Sequence, residues 1–226
     1  MKKQSYVVWG VVLVALLQSR VPVQAVTIVA AEDTYVTEHS GLGGTSSTHG
    51  SELNLFDIAV IGFRSTPLVK FDLTPFANTA VEGDALFEVY LNSSSGMAPL
   101  THTTEIREQL SSWQEGSVCW DTLPGPRGSL GDVLDVRDVR FDQDQGLGPR
   151  YVSWSLPGAV IQKWIDDPGS NNGLAFRTTT LIRDLVYYSS EAATGYQPRL
   201  TFLPEPSSAC LLAFGGLVLL RRRRSA

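Results

Sequence analysis

The chain has 226 residues, of which 18 are basic and 23 acidic, for a formal net charge of −5. Seven of the basic residues lie in the two ends, at positions 2, 3, 20 and 221–224, so residues 26–203 carry 11 basic and 22 acidic side chains, near −11. A body this acidic repels nucleic acid and anionic lipid, and neither is an expected partner.

The N-terminus reads as an export signal. Lys2 and Lys3 form a positive n-region, Tyr6 to Leu17 an apolar h-region, and Val23-Gln24-Ala25 has the small residues that signal peptidase requires. Residues 1–25 are therefore expected to be removed by cleavage between Ala25 and Val26 as the protein passes the inner membrane. The 178 residues of 26–203 fit one domain with an ample core.

Within that body the predicted elements are almost all strands. Val26–Ala30, Glu52–Phe56, Leu68–Leu73, Ala85–Leu91, Ser117–Trp120, Tyr151–Leu156, Leu174–Thr179, Leu185–Ser189 and Arg199–Leu203 are short segments rich in β-branched and aromatic residues. Gly, Pro, Asn and Ser clusters close them. Alternation is clear in Leu86-Phe87-Glu88-Val89-Tyr90-Leu91, as expected where one face packs on a core and the other is wet. One helix is predicted from Pro157 to Ile165, with Val160, Ile161 and Trp164 on its apolar side and Asp166-Asp167-Pro168-Gly169 ending it. The loops at 40–50 and 123–131 look least constrained. The fold class is thus all-β, a two-sheet sandwich with one short helix.

The C-terminus is a second address. Pro204-Glu205-Pro206 precedes an apolar run to Leu220, followed by Arg221, Arg222, Arg223 and Arg224. Four permanent charges fix that end on the cytoplasmic side. The 14 residues 207–220 would make a helix of roughly 21 Å against a hydrocarbon core of about 30 Å, short for a permanent anchor. Residues 204–226 resemble the PEP-CTERM sorting signal of Gram-negative bacteria, which has these three parts in this order. In that family an exosortase, a membrane-embedded protease, removes the tail. The resemblance implies a transient inner-membrane intermediate and delivery to the cell surface or extracellular matrix. Because Cys210 lies in this tail, Cys119 would be left without an intramolecular disulfide partner.

The order of motifs in the body resembles a second family. Asp33-Thr34-Tyr35-Val36, Leu68-Val69-Lys70-Phe71-Asp72-Leu73, Ala85–Leu91, Trp113-Gln114-Glu115-Gly116-Ser117-Val118-Cys119-Trp120, Asn171-Asn172-Gly173, Tyr188-Ser189-Ser190-Glu191 and Pro198-Arg199-Leu200 follow one another as in the DNRLRE domain. That domain is a jelly-roll β-sandwich related to carbohydrate-binding modules. The resemblance implies a jelly roll and an extracellular polysaccharide as partner. Cys119 departs from the Thr more usual there.

Catalytic chemistry finds no foothold in the sequence. His39, His49 and His102 lack metal-ligand spacing, and there is neither a Gly-x-Ser-x-Gly elbow nor a phosphate-binding glycine loop. The expectation is a non-enzyme. For sugar binding, exposed rings and bidentate donors matter. Trp113, Trp154 and Tyr188 are the stacking candidates, with Arg64, Arg107 and Arg183 as donors to an anionic polymer. Trp120, Trp154 and Trp164 also sit in runs that read as core. Glu32 and Asp33 form an oxygen cluster suited to a structural calcium, whereas Asp142-Gln143-Asp144-Gln145-Gly146 lacks the closing Glu of a calcium loop and reads as a solvated acidic turn. Two alternatives stand beside the polysaccharide binder: a purely structural matrix protein without a glycan site, and an enzyme of polysaccharide turnover.

Overall fold

The computed structural model describes residues 24–38, 45–60, 63–94, 101–123, 130–180 and 184–205. Arg183, Pro206, Arg221, Arg222, Arg223, Arg224 and the n- and h-regions of the export signal lie outside the described residues. Among those described there are eleven strands: β1 (Val26–Val29), β2 (Glu32–Thr37), β3 (Asn54–Val60), β4 (Phe63–Lys70), β5 (Val81–Ser94), β6 (Thr101–Gln109), β7 (Leu130–Arg140), β8 (Arg150–Leu156), β9 (Leu174–Thr178), β10 (Asp184–Tyr188) and β11 (Arg199–Pro204). One α-helix, α1 (Gly158–Asp166), accompanies them. No helix among the described residues is long and apolar enough to cross a membrane.

Every strand pairing is antiparallel. The strands run β1-β11-β5-β10-β3-β4-β9-β6-β7, with β2 added beside β4 and β8 beside β5. β5 is the hub: its first part pairs with β11 and β8, and its last residues, Leu91 to Ser94, pair with β10. The sheet curls until β7 meets β8, where Asp135 accepts from the Ser155 N–H at 2.8 Å instead of a backbone ladder. The result is a sandwich-like body whose interior is filled from both sides.

The alternation predicted for β5 is the alternation found. Ala85, Phe87, Val89 and Leu91 are buried, while Leu86, Glu88 and Tyr90 face out. Phe87 touches Trp154 and Phe176 with ring centroids 5.9 and 5.5 Å apart, and Phe176 in turn meets Tyr187 at 5.4 Å. Helix α1 closes one end of this core with Ile161, Trp164 and Ile165. Glu108 holds it there, accepting from Lys163 Nζ at 2.5 Å and Trp164 Nε1 at 3.0 Å.

Ser117–Trp120 is not a strand. It belongs to a series of turns in which the Val118 N–H donates to the Gln114 carbonyl and the Leu123 N–H to that of Cys119. Val118 and Leu123 are apolar because they join Trp113, Val36, Leu68 and Ala175 in a second, smaller core under β2 and β4. β2, β6 and the whole of β7 lie outside the predicted strands, and Leu130–Gly131 begins β7 rather than ending a loop. Asp142 is buried rather than solvated: it accepts from Arg140 Nη2 at 2.6 Å and caps the turn at the Gln145 N–H.

Candidate functional site

The register of β5, β8 and β11 determines what lies on the outer face. Tyr90 pairs with Tyr151, and Glu88 lies between Arg199 on one side and Ser153 on the other. Neighbouring strands are about 4.8 Å apart, so side chains in one row touch. Tyr90 and Tyr151 meet edge to face at 5.3 Å, and Tyr188, at the end of β10, stacks on Tyr90 at 5.7 Å with the rings 13° from parallel. Tyr196, from the loop between β10 and β11, completes the group at 4.7 Å from Tyr90 and 5.8 Å from Tyr188. It is 42% exposed.

Polar groups are set among these rings. Arg199 lies 3.8 Å over the Tyr151 ring and is bonded through Nε to Glu88 at 2.7 Å, a contact that raises the guanidinium further above its ordinary range. The Tyr151 hydroxyl donates to the Gly195 carbonyl at 2.7 Å, tying the Tyr196 loop to the sheet. Burial pushes the Tyr151 hydroxyl up, against the pull of Arg199, so it keeps its proton at neutral pH. The arrangement is a shallow face of four phenol rings with one guanidinium and one carboxylate, the groups that stack on sugar rings and bond their hydroxyls.

Of the described residues predicted for sugar contact, only Tyr188 is on this face. Trp154 is fully buried against Phe87, and Trp113 is 6% exposed with its Nε1 donating to the Asn172 carbonyl at 2.7 Å. Neither presents a ring to solvent. Arg107 is bonded to Glu105 at 2.8 Å and to the Gly131 carbonyl on β6 and β7, and Arg64 is on β4, so neither joins the tyrosines. The guanidinium among the tyrosines is that of Arg199. The alternation of β5 and β8 puts Glu88, Tyr90 and Tyr151 outside, but only the strand register unites them. A separate hollow of about 400 Å³ near Lys70, Asp72 and Asn171 offers no exposed ring, since Phe71 and Trp164 beneath it are buried.

At one end of the body, carboxylates converge. Asp33 on β2, Glu115 in the turn series and Glu191 after β10 each present a carboxylate oxygen, all within 4.8 Å of one another. Asp33 is 1% exposed; its Oδ2 accepts from the Ser190 N–H at 2.6 Å, and its Oδ1 is buried with no hydrogen-bond partner. Burial pushes the Asp33 carboxyl up to about 8 against the Ser190 amide, and the charges of Glu191 and Glu115 add to the rise. Glu115 is raised too, chiefly by burial. Gly50 makes room for it: a Cβ there would lie 2.3 Å from Glu115 Cγ. Glu32 is placed differently from the expectation that paired it with Asp33. Successive strand residues point to opposite sides. Glu32 binds Lys70 Nζ at 2.8 Å and accepts from the Glu115 N–H at 3.3 Å. An orphaned buried oxygen beside two further carboxylates fits a hard, oxygen-seeking cation such as calcium.

No protein-family model matches the chain, and no curated protein is similar to it.

Proposed function

We propose that this chain is an exported, non-catalytic surface or matrix protein of a Gram-negative bacterium that binds or organises extracellular polysaccharide through the outer face of β5, β8, β10 and β11. The observation that carries the proposal is the contact group of Tyr90, Tyr151, Tyr188 and Tyr196 with Arg199 and Glu88 beside it. Rings on a shallow face suit a long polymer, which crosses several strands and leaves by either side, better than a small ligand that needs enclosure. Affinity for such a face is modest, because ordering the polymer offsets much of the contact energy. The curled antiparallel body accords with a jelly roll of the DNRLRE kind. Export and delivery rest on the two ends: a leader cleaved by signal peptidase at Ala25–Val26, and a Pro204-Glu205-Pro206 tail with Arg221–Arg224 processed by an exosortase after a transient stay in the inner membrane.

A second reading is a purely structural matrix protein. Its support is that Tyr90 and Tyr188 cover each other and Arg199 covers Tyr151, which leaves Tyr196 as the most open ring. Electrophoretic retardation of the 226-residue chain in neutral and acidic polysaccharides, with an assay for new reducing ends, separates the readings. Retardation without new reducing ends is expected, weakened about two- to tenfold by Tyr196→Ala, as the loss of one aromatic contact requires. Retardation by no polymer selects the structural protein, and new reducing ends select an enzyme.

A further inference from the structure

The carboxylate cluster and the tyrosine face share one loop. Residues 189–198 begin with Ser189, which is fully buried, and Ser190, whose N–H is held by Asp33. Glu191 follows in the cluster, then Tyr196 in the ring group and Gly195, whose carbonyl accepts from Tyr151. The Gln197 side chain folds back to donate to the Ser190 carbonyl, so both functional parts of the loop are joined within seven residues. The other two carboxylates come from positions 33 and 115, in segments distant in sequence.

Electrostatics leaves this cluster short of positive charge. Asp33, Glu115 and Glu191 face one another, and the nearest ammonium, Lys70, is engaged by Glu32 and by the Trp113 carbonyl at 3.3 Å. A proton on Asp33 relieves part of the repulsion but leaves Oδ1 without a partner. Calcium coordinates oxygens at about 2.3–2.6 Å, so ligand atoms up to about 5 Å apart can share one ion, and the observed spacing falls inside that limit.

We propose that Asp33, Glu115 and Glu191 bind one calcium ion, which satisfies Asp33 Oδ1 and fastens the 189–198 loop where Tyr196 completes the outer face. The second half of this proposal rests on the polysaccharide reading; the first does not. Binding displaces the Asp33 proton to solvent and places a dication among three carboxylates. The cation then acts on the tyrosine face through the loop backbone, with no contact of its own to the polymer.

The test uses the 226-residue chain stripped with a chelator and titrated with calcium chloride, magnesium chloride serving as a comparison. Calorimetry is expected to find one calcium per chain, and calcium at a hundred times its Kd should raise Tm by about 5–10 °C. Glu191→Gln, at an exposed position that does not threaten folding, should weaken calcium binding by about tenfold or more. Hydrogen exchange of the amides in 189–198 should slow on calcium addition, and retardation by polysaccharide should fall with chelator. Absence of calcium binding, or binding unchanged in Glu191→Gln, overturns the site. Calcium binding without slower exchange in the loop overturns its coupling to the face. Calcium binding and loop protection without retardation leave the cation site standing and refute the polysaccharide reading instead, while retardation indifferent to calcium and chelator leaves the polysaccharide reading standing and overturns the coupling of the cation to the face.

Discussion

Asp57 illustrates how a single carboxyl in this body sets a pH response. It lies on β3, is 1% exposed and accepts from the Thr178 N–H at 3.3 Å. Burial pushes its carboxyl up to about 7, against the hydrogen bond from the Thr178 N–H. The unfolded chain releases that proton near 3.8, so between the two values the native state holds more protons. The stabilisation is therefore fully present below the lower value and is lost as pH rises through about 7. Across that window the loss is bounded by an amount on the order of 4 kcal/mol. Asp57→Asn should flatten the decline of Tm between pH 4 and 8 relative to the parent chain; parallel curves would refute the assignment. Residue identity in the sequence announces none of this, because a lone Asp among apolar neighbours looks the same whether it is wet or dry. The same limit applies to the rings. Trp113 and Trp154 read more readily as core than as platform, and Tyr90, Tyr151 and Tyr196 are separated by 61 and 45 positions, so nothing short of the strand register groups them.

Element by element, legibility followed the strength of the alternation. β5 and β8 place Phe87, Val89, Val152 and Trp154 inward with strict period two, and both were visible in the sequence. β6 and β7 were not: β6 alternates, but its inward positions include the polar His102, Thr104 and Glu108 beside Ile106, and β7 is an edge strand that turns Val139 and Leu134 to the core while Asp132, Val133, Val136 and Asp138 are exposed. The turns at 115–123 failed for the opposite reason: a local apolar cluster imitates a strand. Helix α1 offers a test in which two local rules compete. Alanine at 158 would improve helix propensity by up to about 1 kcal/mol. Its Cβ, however, would lie 1.9 Å from the Gly83 carbonyl on β5, and overpacking against backbone costs about 1–3 kcal/mol. Gly158→Ala should therefore lower stability in urea unfolding, and a gain would mean that the helix is free to move off the sheet.

For the whole molecule, the two ends carry the predictions about cellular fate. N-terminal sequencing of surface material should begin at Val26, and finding Met1 would refute leader cleavage. Neutralising Arg221–Arg224 should impair membrane retention of the precursor and its sorting, read by fractionation and intact mass. If the tail remains attached to surface protein in both versions, it is a plain anchor.

The pairing of β1 with β11 bears on how the chain acquires its structure in time. Val26 lies opposite Phe202 and Val29 opposite Arg199, and β11 is wedged between β1 and β5 rather than added at the rim. A ribosome delivers about 5–20 residues each second, so the first strand waits roughly 9–35 s for its partner while β5 keeps an open edge. Vectorial assembly from the N-terminus is therefore closed to this topology. Its sheet is completed by nearly the last residues of the body to emerge, and until Arg199–Pro204 are available β1 lacks its partner and β5 lacks one of its neighbours.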